Sequence, residues 1–223
     1  RPAFAQAFTG GYGSVANGPF YSQASAYLAV KDSINLNSYT YSTSAAIAVL
    51  EAAGWVYNGQ GGAYDANVKD SYGNAVRYKK LSGYELSEDN LNFKSVDNKY
   101  KTVKIDGAYY MPLAVNWYGT QPNPVTDQLL TAWQNNPAAT TAIGMYITYT
   151  STDFNKGIYG EFCRSKEDGY DGTPKLNAVN FATGFNSAVY DFSFNWTIDP
   201  DMYDNYSAAY IMDEADFFEN YKK

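Results

Sequence analysis

YKTVKIDGAYYMPLAVNWY, residues 100–118, is the stretch that decides the fold class. Asp106-Gly107 lies between two runs in which apolar and polar side chains alternate. An Asp-Gly pair accepts the positive backbone angles of a two-residue hairpin turn, so it predicts two antiparallel strands joined there. Residues 100–105 and 108–118 are the expected strands. Residues 75–81 and 91–96 continue the pattern upstream, and Asp97-Asn98 supplies another turn. Arg77, Lys79 and Lys80 form a short basic cluster, which strand alternation about Tyr78 explains without an anion.

Downstream, Leu129, Leu130 and Trp133 share one face of residues 125–134. That spacing predicts an amphipathic helix, with Asp127 near its positive end. It should stop at Asn135-Asn136-Pro137, because the residue before a proline is pushed out of the helical region. In residues 142–149, Ile143, Met145 and Ile147 alternate with Gly144, Tyr146 and Thr148, which predicts a strand. Residues 178–198 read as strand, and residues 208–221 as helix.

Upstream, residues 44–56 are rich in Ala, Ile, Val and Leu. They predict a helix capped by Thr43 or Ser44 and ended by Gly54. It is apolar nearly all round, so it is expected to be buried. Asn58 to Gly62 is a loop without the spacing of a phosphate cradle. Residues 27–36 look strand-like. Residues 1–24 are expected to form an extended N-terminal arm with turns at Gly10-Gly11 and Gly18-Pro19. Residues 25–223 then make a single globular domain. The class is α+β, a mainly antiparallel β-sheet with two or three helices, and a two-sheet sandwich is one form it can take.

Composition narrows the function. The chain has 223 residues, long enough to bury a core. Charged residues are 17%, below the usual quarter, and the net charge is −7. A negative chain is repelled by phosphate backbones, so nucleic acid is not an expected partner. No apolar run approaches the length of a transmembrane span. Histidine is absent. That excludes Ser-His-Asp and Cys-His nucleophile pairs and histidine-bearing metal sites. Cys163, in Glu161-Phe162-Cys163-Arg164, is the single cysteine, so no internal disulfide forms. Low charge with abundant Asn, Ser, Thr and Tyr fits an extracytoplasmic or cell-surface protein.

Tyrosine, at 23 residues, is the unusual feature. Its ring packs in strands, and its polar tip suits contact surfaces. Trp55-Tyr57, Tyr109-Tyr110 and Trp117-Tyr118 are the aromatic clusters. Trp117 and Tyr118, flanked by Asn116, Gln121 and Asn123, are the expected ligand-binding set. Flat rings stack on the C–H faces of sugars, and amides bond the hydroxyls. The same stretch also reads as the end of a core strand.

Calcium is the expected metal. Asp199, Asp201 and Asp204 place hard oxygen ligands in one turn-rich segment, and Asp168 and Asp171 do so in another. Neither matches the full spacing of a helix-loop-helix calcium loop. The sequons at Asn195 and Asn205 are short patterns that chance supplies easily. Three function classes follow. The first is a non-enzymatic structural, assembly or surface-interaction protein that meets protein subunits, its own or others, through Tyr-rich surfaces. The second is a glycan-binding module centred on Trp117. The third is a glycosidase using two of Glu51, Glu85, Glu88, Asp89 and Glu161, since such enzymes need facing carboxylates and no histidine.

Overall fold

A computed structural model describes residues 1–13, 15, 25–36, 39–159 and 177–180. The chain falls into two compact units, Arg1–Thr40 with Ala182–Lys223, and Tyr41–Phe181.

In the first unit, helix α1 (Pro2–Thr9) replaces the expected extended arm over its length. The reason is local. Ala3, Ala5, Ala7 and Gln6 are strong helix formers, Pro2 stands in the first turn, and Gly10 closes the end in the left-handed region at φ 63°. Phe4 and Phe8, one turn apart, stack at 6.0 Å. Helix α2 (Ser25–Val30) likewise replaces the strand expected from residue 27. Short apolar runs fit either period, and Ala and Leu tip the balance to helix.

The second unit opens with helix α3 (Thr43–Ala52). Its cap is Ser42, one residue earlier than expected; the Ser42 hydroxyl accepts the Ala45 N–H at 3.2 Å. Gly54, at φ 89°, ends it, and the Trp55 N–H turns back to the Leu50 carbonyl at 2.9 Å. The helix is not buried: none of its residues is, and Val49 is 69% exposed. Its apolar character comes largely from alanines, whose small side chains lose little by facing water.

A small antiparallel sheet follows. Strand β1 (Tyr78–Lys80) precedes a single helical turn, α4 (Glu88–Leu91), which occupies the start of the strand expected at 91–96. Ser87 caps that turn, and only an isolated bridge, Lys94 to Lys101, marks the expected strand. Strands β2 (Val103–Ile105) and β3 (Ala108–Pro112) form the hairpin, with Ile105 opposite Ala108. Asp106 and Gly107 both have positive φ, 48° and 81°, the turn that the pair predicts. Strand β3 lies between β1 and β2.

Only Leu113 separates β3 from strand β4 (Ala114–Thr120), so the expected strand 108–118 runs through two sheets. Helix α5 (Pro124–Asn135) and a short helix α6 (Ala138–Thr141) lead to strand β5 (Tyr146–Thr152). A one-turn π-helix, Phe154–Tyr159, follows, and β6 (Ala178–Val179) flanks the other side of β4. β5 pairs with β4 in parallel from Ala114–Tyr146 to Thr120–Thr152. The expectation of a mainly antiparallel sheet therefore needs correction in its second half. The connection holds a full helix, and parallel neighbours require such a crossover. The class remains α+β, with helices and strands mixed.

The core gathers where the two sheets meet, at Val76, Tyr78, Tyr100, Tyr110 and Ala114. Tyrosine rings build much of it: Tyr57 meets Tyr110 edge-on at 5.2 Å, and Tyr100 meets Tyr146 at 4.6 Å. Among the described residues no helix is long and apolar enough to cross a membrane. The expected strand beyond residue 180 and the C-terminal helix lie outside the described residues.

Candidate functional site

The residues nominated around Trp117 come together, yet mostly as structure. β4 alternates, so Ala114, Asn116 and Tyr118 point to the buried side. Asn116 is 2% exposed. Its side-chain carbonyl accepts the Val96 N–H at 3.1 Å and the Thr148 hydroxyl at 3.0 Å. Its amide donates to the Lys94 carbonyl at 3.1 Å. Tyr118 is 6% exposed and packs against Val179. Trp117, on the other face, is half-buried. It meets Tyr149 at 4.8 Å and Trp133 at 6.2 Å, and its indole N–H donates to Asn180 at 3.0 Å. Gln121 is exposed, bridging Asp127 at 3.1 Å and the Ser151 hydroxyl at 2.6 Å. Asn123 caps α5, accepting the N–H groups of Val125 and Thr126.

The nominated carboxylates are dispersed. Glu51 faces Arg77 at 3.3 Å, Glu85 pairs with Lys79, and Glu88 and Asp89 open the surface turn α4. The Lys79 ammonium bonded to Glu85, together with the Ser82 N–H, holds that carboxyl below its usual range against a partial burial cost. Glu161, Cys163, Asp168, Asp171, both sequons and the calcium candidates Asp199, Asp201 and Asp204 lie outside the described residues. Among the described residues no group of three or more acidic or cysteine side chains is arranged to hold a metal.

A cleft of about 440 Å³ lies elsewhere, between residues 58–64 and 65–75. The first wall is pinned by Asn58, whose side chain accepts the N–H groups of Gln60 and Gly62 and donates to the Ala63 carbonyl. The second is pinned by two aspartates that cap their own turns. Asp65 accepts the Asn67 N–H at 2.8 Å, and Asp70 accepts those of Tyr72 and Asn74 at 2.8 and 3.0 Å. Val76, Tyr78 and Tyr100 also line the cleft, and they belong to the core. The Tyr100 hydroxyl donates to Asp70 at 2.6 Å and accepts from the Asn74 amide at 3.0 Å. Burial, then the bond to Asp70, pushes the Tyr100 phenol well above its ordinary value. Burial pushes Tyr78 up to about 12, with Asp70 adding to the effect. Both phenols stay protonated at neutral pH, so they offer hydrogen bonds rather than bases.

No family model, curated protein or solved structure matches this chain.

Beside the cleft, Asp97 joins Tyr146 and Lys99. The Tyr146 hydroxyl donates to Asp97, and the Lys99 ammonium sits 3.3 Å from the same carboxylate. Burial raises Asp97, but the bonds from Tyr146, the Lys99 N–H and Ser95 outweigh it and leave the carboxyl lowered. The Arg77 guanidinium lies over the ring of Tyr64, which lines the cleft, at 4.1 Å. In the sequence, residues 58–62 read as a loop alone. A signal was present: Asn58, Asp65 and Asp70 each precede glycine or a small polar residue within a few positions, which is the pattern of self-capping turns.

Proposed function

We propose that this is a non-enzymatic interaction protein of an extracytoplasmic or cell-surface setting, which meets protein subunits through Tyr-rich contact surfaces. The observation that carries the reading is how the tyrosines divide. Tyr78, Tyr100, Tyr110 and Tyr118 are buried, whereas Tyr12, Tyr41 and Tyr84 are 99%, 73% and 93% exposed. Rings left in water lose apolar burial that a partner restores, and the phenol tip then finds a bond at the interface. The test is particle mass by light scattering across a concentration series. The expected result is a mass above one 24.7 kDa chain at high concentration, reduced in Tyr41→Ser or Tyr84→Ser. A mass that stays at one chain throughout, indifferent to both changes and to added candidate subunits, sinks the reading.

The glycan-binding reading draws support from a different place than Trp117. Asn116 already has its amide bonded on both sides, and the Trp117 indole N–H is bonded to Asn180. The cleft is the better-shaped receptor.

A further inference from the structure

We propose that the cleft between residues 58–64 and 65–75 binds a neutral, hydroxyl-rich ligand of the saccharide class. This goes beyond the assembly reading and does not depend on it.

Size comes first. At about 440 Å³ the cleft falls within the range of small-ligand sites. It admits one or two sugar rings. Rigidity comes second. Both walls are held by side chains bonded to their own backbone, so little ordering remains for a ligand to impose.

Charge decides the class. Asp65, Asp70, Lys69 and Lys99 line the cleft, two of each sign. Each has at least one partner within the protein. Asp70 accepts from Tyr100, Tyr72 and Asn74, and Asp65 from Asn67. Lys69 donates to the Ala66 carbonyl at 2.9 Å, and Lys99 faces Asp97. The four charges cancel, so neither an anion nor a cation meets a net opposite charge in the lining. A purely apolar ligand fits no better, because the lining carries the exposed Gln60 amide beside charged side chains.

A sugar meets both requirements. Its C–H faces pack on tyrosine rings, and its hydroxyls exchange bonds with amides and phenols. Tyr72 is the ring placed for this. It is 54% exposed, lines the cleft, and is braced edge-on against Tyr100 at 5.7 Å. Gln60 brings an exposed amide from the opposite wall.

The experiment is isothermal titration of the whole chain with four neutral disaccharides: cellobiose, maltose, lactose and xylobiose. Glycylglycine serves as a zwitterionic probe. The variants are Tyr72→Ala and Gln60→Ala, both at exposed positions, with Trp117→Ala as a control. Circular dichroism checks that each variant folds. At least one disaccharide should bind, Tyr72→Ala should weaken it by about tenfold or more, and Gln60→Ala should weaken it less. Trp117→Ala should leave binding unchanged. Binding by none of the four sugars overturns the proposal. So does sugar binding that survives both cleft changes or disappears in Trp117→Ala, and so does tighter binding of glycylglycine. Light scattering of Tyr72→Ala keeps the two readings apart, since its particle mass should match the parent's.

Discussion

Arg77 shows how one side chain ties several segments together. It is 4% exposed. Its Nε donates to the Ile143 carbonyl at 3.0 Å, one terminal nitrogen to the Trp55 carbonyl at 2.9 Å, and the other to Glu51 at 3.3 Å. Its backbone N–H reaches Gly144, and its carbonyl accepts from Leu113, the residue between the two sheets. Removing the guanidinium leaves two carbonyls without donors, at about 1–3 kcal/mol for each that stays buried. Arg77→Met should therefore lower stability by about 3 kcal/mol in urea unfolding. Glu51→Gln should cost less than about 1 kcal/mol, because the Glu51 side chain is 52% exposed and its ion pair is screened. Equal effects of the two changes would mean that the ion pair, not the carbonyls, carries the contribution. The sequence marks Arg77 only as one of three basic residues about Tyr78. Alternation would put Arg77 and Tyr78 on opposite faces, yet both are buried, because this strand packs on its two sides. The same limit applied to Asn116. Amides read as available for a ligand in a sequence, and only the fold reveals that Lys94, Val96 and Thr148 reach them first.

At the scale of elements, features set by neighbouring residues were legible and those set by distant pairing were not. The β2–β3 hairpin, the α5 helix and the end of α3 at Gly54 all follow from turn and cap chemistry within a few positions. Helix α1 stands where glycine turns suggest an arm, and α2 where a short apolar run satisfies both periods. The parallel pairing of β4 with β5 depends on which strands meet across the α5 crossover, and no local signal states that. The hairpin offers a clean test of the local part. Gly107 has φ 81°, and a Cβ there would meet nothing within 4 Å. Any effect of Gly107→Ala is thus backbone strain alone, about 1–2 kcal/mol of lost stability. Asp106→Gly, at the φ 48° position, should be close to neutral, since glycine enters that region freely. Thermal unfolding of the two variants decides the matter. If Gly107→Ala leaves the melting temperature unchanged, the turn does not hold this conformation in solution.

For the whole molecule, a core built on phenols and a chain without histidine together shape the response to pH. No side chain of histidine type titrates between the carboxylates and the high-pH groups. Stability should stay nearly level from about pH 5.5 to 8. On the acid side, Asp97 and Glu85 have lowered values in the folded chain. Their contribution is present above the ordinary carboxylate range, near pH 4, and is lost as pH falls through the lower folded values. On the alkaline side the sign reverses. Burial pushes Tyr78 up to about 12 and raises Tyr64, Tyr100, Tyr146 and Tyr149 as well. Below about pH 10 these phenols are protonated whether folded or not. Above that, the unfolded chain releases its protons first, so stability falls as pH rises toward the folded values. Lys99, raised by its bonds to Tyr146 and Asp97, adds to the same arm. Melting temperature against pH should therefore show a plateau with a fall below about 4 and a second fall above about 10. The ultraviolet absorbance of tyrosinate gives an independent reading, because the buried phenols with raised values lag until the chain unfolds. Tyr78→Phe removes one lagging proton and should shallow the alkaline fall. A single smooth titration of all phenols near pH 10 with the fold intact would mean that the rings are not held from water, and the tyrosine core would have to be abandoned.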